Sequence, residues 1–142
     1  MKPIKTSHSI CKICYHIVIC PKYRYSVFSG AVSVDMKQLI AQICYTKEWI
    51  LREIEIMDDH LHLMIQTDHK TAPVEIVQTI KSLTAIYIFQ KYPHLKKNRF
   101  WSNGAYYSTV GEQQESIVTN YIRNQKTANS SEESSSHGFL RD

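Results

Sequence analysis

Trp49-Ile-Leu-Arg-Glu-Ile-Glu-Ile-Met-Asp-Asp-His-Leu-His-Leu-Met-Ile-Gln-Thr67 is two runs of alternating side chains divided by Asp58-Asp59. In the first run Ile50, Arg52, Ile54 and Ile56 alternate with Leu51, Glu53 and Glu55, the period-two pattern of a half-buried strand. The two aspartates supply a turn, and residues 61–67 return as the next strand. Side chains on a strand point alternately to its two faces. His60, His62, Met64 and Gln66 therefore share one face, while Leu61, Leu63 and Ile65 point into a core.

Working outward, Cys14-Tyr-His-Ile-Val-Ile-Cys20 is rich in branched and aromatic residues and is closed by Pro21, which reads as a first strand. Val34, Leu39, Ile40 and Ile43 fall near helical spacing within residues 35–47, with Ser33 or Asp35 as the cap. A second helix is expected over residues 73–92, with proline at an early helical position and Val77, Ile80, Leu83, Tyr87 and Ile88 on one face. Residues 101–110 supply a fourth strand around Tyr106-Tyr-Ser-Thr-Val110. Gly111 punctuates, and residues 112–126 resume helical periodicity at Val118, Tyr121 and Ile122. The order β-α-β-β-α-β plus a further helix predicts a ferredoxin-like α+β domain over residues 1–127. That order carries little functional information by itself.

From Ala128 onward the composition turns polar and loses apolar periodicity, which predicts a disordered tail over residues 128–142. Because that tail holds Arg141 but also Glu132, Glu133 and Asp142, residues 1–127 keep 16 of the 17 basic and 10 of the 13 acidic residues, a formal charge of +6. Such a surplus favours a polyanionic partner without identifying it. No run approaches the roughly 18 consecutive apolar residues of a membrane span, and no signal-like segment follows Met1. A soluble, cytoplasmic protein is expected. Cys11, Cys14, Cys20 and Cys44 crowd the first third of the chain, unlike a secreted disulfide framework, and are expected to be reduced thiols. The single pair Cys11-x-x-Cys14 has no second pair to complete a metal site.

Two imidazoles at i and i+2 on a strand are spaced to hold one metal ion. On the last helix Tyr121 and Gln125 are four residues apart and lie on the same face, so a phenol and an amide oxygen point together. Each feature alone is common in structural surfaces. Together they form a set with a nucleophile, Tyr121, and ligands for a Lewis acid, His60, His62 and Gln125. His16 and the other histidines are isolated in sequence and receive no role.

These segments resemble the HUH transposases of the insertion-sequence 200/605 family, the TnpA type with one catalytic tyrosine. Met57-Asp-Asp-His-Leu-His-Leu-Met64 is similar to the family's His-hydrophobic-His strand, and Tyr121-Ile-Arg-Asn-Gln125 to its Tyr-x-x-x-Gln helix. Tyr15-His-Ile-Val-Ile-Cys-Pro-Lys-Tyr-Arg24 is similar to the first strand and following turn, and Phe100-Trp-Ser-Asn-Gly-Ala-Tyr-Tyr107 to the fourth strand. The resemblance spans residues 14–127. It implies cleavage and rejoining of single-stranded DNA at transposon ends marked by foldback hairpins, through a 5′-phosphotyrosine link to Tyr121. It also implies a divalent ion on His60, His62 and Gln125, Mg²⁺ or Mn²⁺ in the family, with Zn²⁺ left open by ligand type alone, and a homodimer whose sites are completed in trans.

Lys22, Tyr23 and Arg24, and Lys96, Lys97 and Arg99, mix charge with aromatic or amide groups and are candidate DNA contacts. Three alternatives stay open. One is a domesticated relative acting on chromosomal hairpins, and another is a non-catalytic hairpin-binding protein, against which stands the lack of an RNP-type aromatic motif. The third is a zinc hydrolase in which Tyr121 is incidental.

Overall fold

A computed structural model describes residues 4–5, 10–11, 13–22, 27–28, 30–96, 99–109 and 115–136, with side chains described for 13–22, 27–28, 30–96, 99–109 and 119–129. A two-residue ladder pairs β1 (Ile4–Lys5) with β2 (Ile10–Cys11). The main sheet contains β3 (Ile13–Ile19), β4 (Ile50–Ile56), β5 (Leu61–Thr67) and β6 (Tyr106–Thr109), in the order β4-β5-β3-β6. Every neighbouring pair is antiparallel. Helix α1 (Gly30–Thr46) links β3 to β4, α2 (Pro73–Lys91) lies between β5 and β6, and α3 (Glu115–Ser136) follows. This is the ferredoxin-like α+β arrangement expected from the element order.

Alternation along β5 divides the protein into two faces. Leu61, Leu63 and Ile65 are fully buried and join Ile17 and Ile19 of β3 against Met36 and Ile40 of α1 and Ile76, Ile80 and Ile88 of α2. The opposite face of the sheet carries Cys14, His16, Val18, His62, Met64 and Gln66, as the pairings His16↔Met64 and Val18↔His62 require. Burial of branched side chains on one face fixes the register, because a one-residue slip would exchange the two sets.

Several boundaries and faces differ from the sequence expectation for physical reasons. Helix α1 begins at Gly30, where φ is +53°, and buries Met36, Ile40, Ile43 and Cys44, leaving Val34 outside at 55% exposure. Asp35 lies within the helix. Its carboxylate accepts from the Tyr92 hydroxyl at 2.5 Å and pairs with Lys91 at 2.8 Å, tying α1 to the end of α2. On α2 the buried stripe is Ile76, Val77, Ile80, Thr84 and Ile88, so Leu83 and Tyr87 face outward. Thr84 can occupy the core because its hydroxyl donates to Ile80 O at 2.6 Å and accepts from Trp101 Nε1 at 2.9 Å. A register shift between Leu51 and Glu53 makes β4 change phase. Leu51, Ile54 and Ile56 pack on the core while Ile50 is more than a third exposed.

The fourth strand is shorter than expected and begins at Tyr106. Ahead of it, Trp101 forms an isolated bridge with Pro21, Lys22 N–H donates to Phe100 O at 2.7 Å, and Ser102 N–H donates to Cys20 O at 2.8 Å. Helix α3 also departs from the boundary at 127, continuing through the polar run to Ser136. Asn129 is buried and donates to Ser102 Oγ at 2.6 Å and Pro21 O at 3.4 Å, so tertiary hydrogen bonds offset the weak helix propensity of this composition. Among the described residues no helix is long and apolar enough to cross a membrane.

The central position of β5 gives a direct test of this core. Leu63 is fully buried, and Leu63→Ala should lower unfolding stability by about 2–5 kcal/mol through lost burial and a residual cavity. Urea denaturation would show this as a reduced midpoint, and an unchanged midpoint would contradict the packing described.

Candidate active site

The register of the sheet aligns one row of residues across all four strands. Glu55 of β4 pairs with His62 of β5, His62 with Val18 of β3, and Val18 with Tyr106 of β6. All four side chains emerge on the face away from α1 and α2. The next row contains Glu53, Met64, His16 and Ser108. His60 immediately precedes β5 and lies on the same side as His62, the i and i+2 relation expected from the sequence.

Both histidines are held by specific partners. His60 Nδ1 lies 2.8 Å from Asp59 Oδ1, while Asp59 Oδ2 lies 2.6 Å from Lys126 Nζ on α3. An ionised carboxylate only accepts hydrogen bonds, so Nδ1 of His60 is the protonated nitrogen in this contact and Nε2 is the one left for another partner. Burial works to raise the Asp59 pKa, but hydrogen bonds from Lys126 and His60 outweigh it and hold the carboxyl below its ordinary value. On β5, His62 Nε2 lies 2.8 Å from His16 Nδ1, with ring centroids 4.9 Å apart. Burial, followed by the His62 charge, lowers the pKa of His16. Burial likewise lowers that of His62, against the opposing influence of Glu55 and Glu53. Neutral imidazoles are the form that ligates metals.

His16, which the sequence allows near the site on a neighbouring strand but to which it assigns no role, is also on this face. Its separation from His62 by 46 positions hides the contact, and only the β3–β5 pairing reveals it. The alternation of β3 did place His16 on one side of its strand. The side, however, depends on the register with β5.

Helix α3 lies against this same region of its own chain. The Tyr121 ring is 6.0 Å from that of Tyr106, and its hydroxyl is buried without a hydrogen-bond partner among the described residues. Burial, with a smaller contribution from nearby Cys20, pushes the Tyr121 phenol well above its ordinary pKa. The phenol is therefore protonated at neutral pH. Gln125 is half-buried one turn further along, directly before the lysine that reaches Asp59. The structure thus brings the histidine strand and the tyrosine helix to one face, joined through Asp59. Among the described residues no cluster of three His, Cys, Asp or Glu side chains is arranged to hold a metal ion.

The candidate DNA contacts separate on inspection. Lys22 is only 2% exposed, and its backbone N–H donates to Phe100 O at 2.7 Å. Lys96 is exposed. Arg99 is half-buried, donates to Asn103 Oδ1, and lines a cavity of about 470 Å³ with Lys81, Ser82 and Gln78. Lys81, absent from the sequence reading, donates to the carbonyls of Ser102 and Gly104, and burial followed by nearby Arg99 brings its pKa down to about 8. Tyr23, Arg24 and Lys97, and Gly111 ahead of α3, lie outside the described residues.

Comparison with known proteins agrees with this geometry. The family described as Transposase IS200 like matches residues 9–125. The ISDra2 transposase TnpA of Deinococcus radiodurans is 29% identical over 115 residues, covering 78% of this chain and 82% of that protein. The transposase for insertion sequence element IS200 of Salmonella typhimurium is 30% identical over 115 residues, covering 78% and 75% respectively. A crystal structure assigned as a transposase from Deinococcus radiodurans superposes with a TM-score of 0.80 at 26% identity, covering 86% of this chain and 97% of that one. A REP-associated tyrosine transposase bound to a REP hairpin shares the fold at a TM-score of 0.56 and 9% identity, covering 84% and 68%. The match of the family model to residues 9–125, most of the chain, makes this protein a member of the IS200-like transposase family.

Proposed function

We propose that the protein cleaves and rejoins single-stranded DNA at hairpin-marked ends, with Tyr121 as the nucleophile. The observation that most supports this reading is the buried Tyr121 hydroxyl, left without a hydrogen-bond partner among the described residues, on a helix tied to the histidine strand. A buried hydroxyl without a partner is costly in a purely structural role, and a phosphate oxygen arriving at the face would supply the missing interaction. The fold is one on which the REP-associated tyrosine transposase carries its hairpin.

In this mechanism Tyr121 Oη forms a bond to the scissile phosphorus while the bond from phosphorus to the 3′ oxygen breaks. The phenolic proton leaves Tyr121, and the departing oxygen takes up a proton to become a free 3′-hydroxyl. The product is a 5′-phosphotyrosine, and attack by another 3′-hydroxyl reverses the exchange. Because one phosphodiester is exchanged for another, no nucleotide cofactor is required. His60, held in the Nδ1–H tautomer by Asp59, and His62, with Gln125 from α3, would hold a divalent ion, Mg²⁺ or Mn²⁺. Such an ion polarises the phosphate and offsets its negative charge. Burial lowers the pKa of His62, favouring the neutral ring that ligates, and raises that of the Tyr121 phenol, so the attacking oxygen has to lose its proton as the bond to phosphorus forms.

The assembly we propose is a homodimer with sites completed in trans. Within one chain α3 lies on its own sheet, so exchange would transfer the same set of contacts to the neighbouring subunit.

Three measurements test these statements. Tyr121→Phe should abolish the covalent adduct formed on single-stranded DNA while leaving hairpin binding nearly unchanged, and an adduct persisting in the variant would exclude Tyr121 as nucleophile. His60→Ala should weaken Mn²⁺ binding by about 10–100-fold, with activity partly restored at higher Mn²⁺; equal affinities in variant and parent would remove His60 from the ligand set. Mixing Tyr121→Phe with His60→Ala under conditions of subunit reassortment should restore cleavage if sites form in trans, because one site of the heterodimer then lacks both defects. Confirmed reassortment without recovery would place the complete site within one chain.

A further inference from the structure

Asp59 is the one described side chain that touches both the histidine strand and the tyrosine helix through hydrogen-bonded charges. We propose that Asp59 is a positioning residue which couples the two: one carboxylate oxygen sets the tautomer of His60 while the other docks α3 through Lys126. This rests on the reading of His60 as a ligand and of α3 as the nucleophile's helix, and it adds a link between them.

The geometry supports a division of labour between the two oxygens. Asp59 Oδ1 is 2.8 Å from His60 Nδ1, and Asp59 Oδ2 is 2.6 Å from Lys126 Nζ. A free imidazole exchanges its proton between both nitrogens, so a ring meant to present Nε2 must be locked by an acceptor at Nδ1. Asp59 does this from the adjacent residue in sequence, in the turn that closes the β4–β5 hairpin, where the backbone is fixed by Met57 N–H donating to His60 O at 2.9 Å. Lys126 follows Gln125 directly, so anchoring its ammonium also limits how far the Gln125 amide can move from the β5 end of the sheet. Asn129, one turn further, makes the second anchor through Ser102 and Pro21. A bond from an exposed lysine alone contributes little to stability. Its effect here is positional, because it selects one placement of a helix that carries both a nucleophile and an amide ligand. If helices are exchanged in a dimer, the same contact forms between subunits.

The two halves of this proposal separate by substitution, with readouts independent of cleavage. In the metal-free protein, ¹⁵N shifts of the His60 ring should report Nδ1–H in the parent and in Lys126→Gln, and a mixture of tautomers in Asp59→Ala. Asp59→Asn loses the charge that holds Lys126 and, because its amide can either accept from or donate to Nδ1, should weaken the tautomer preference less than Asp59→Ala does. Hydrogen exchange of the α3 amides between residues 119 and 129 should accelerate in Lys126→Gln, Asp59→Asn and Asp59→Ala alike, with circular dichroism confirming a folded sheet. Mn²⁺ affinity should fall by about 10–100-fold in Asp59→Ala and by less in Lys126→Gln, which loosens only the helix that carries Gln125.

An unchanged His60 tautomer in Asp59→Ala would overturn the first half. Unchanged α3 exchange in Lys126→Gln and both Asp59 variants would overturn the second. If the parent itself binds no Mn²⁺, the ligand reading of His60 fails, while the tautomer and exchange measurements still decide whether Asp59 joins the two elements.

Discussion

Strand β5 is hydrogen-bonded on both sides, to β4 and to β3, and this enclosure imposes strict alternation on its side chains. Leu61, Leu63 and Ile65 have no alternative to the core, and the histidines between and before them have no alternative to the opposite face. The placement of the two imidazoles is therefore a by-product of hydrophobic burial. Movement of the register by one residue would bury the imidazoles and expose the leucines together. The chemistry of this face thus inherits its stability from the strongest part of the core, rather than from contacts among the polar residues themselves.

Much of this was legible in the sequence because it depends on period-two alternation and on local spacing. The β4–β5 hairpin, the shared side of His60 and His62, and the pairing of Tyr121 with Gln125 on one helical face all follow from the chain within a few residues. The face of α2 was harder to read. Thr84 and Ile76 turn inward where Leu83 and Tyr87 were expected, because a threonine hydroxyl satisfied by Ile80 O and Trp101 Nε1 is compatible with burial. No hydropathy pattern records that Trp101 will arrive there. The phase change in β4 is similar: one irregular pairing near Arg52 sends Leu51 inward and Ile50 outward.

Long-range partners account for what remained hidden. His16 meets His62 through strand pairing, Lys22 is turned inward by the bridge between Pro21 and Trp101, and α3 outlasts its apolar periodicity because Asn129 finds Ser102. Composition placed the end of that helix too early, since it weighs local propensity and ignores a tertiary amide contact. Asp59 shows the same limit from the other side. As sequence it is a turn residue, and only the fold reveals that its second oxygen belongs to a helix 67 positions away.

The cysteines of the sheet and first helix carry one more consequence. Cys14, Cys20 and Cys44 are free and buried, and burial raises all three thiols, that of Cys44 to about 11 and that of Cys20 to about 12. At physiological pH they stay protonated, and a protonated thiol is neither a good nucleophile nor a soft metal ligand. Cys20 lies electrostatically close to Tyr121 and Lys126, yet in this form it offers no sulfur anion to trap thiophilic ions. Thiol-directed oxidants or alkylating agents would therefore have to open the core before they reached these three sulfurs.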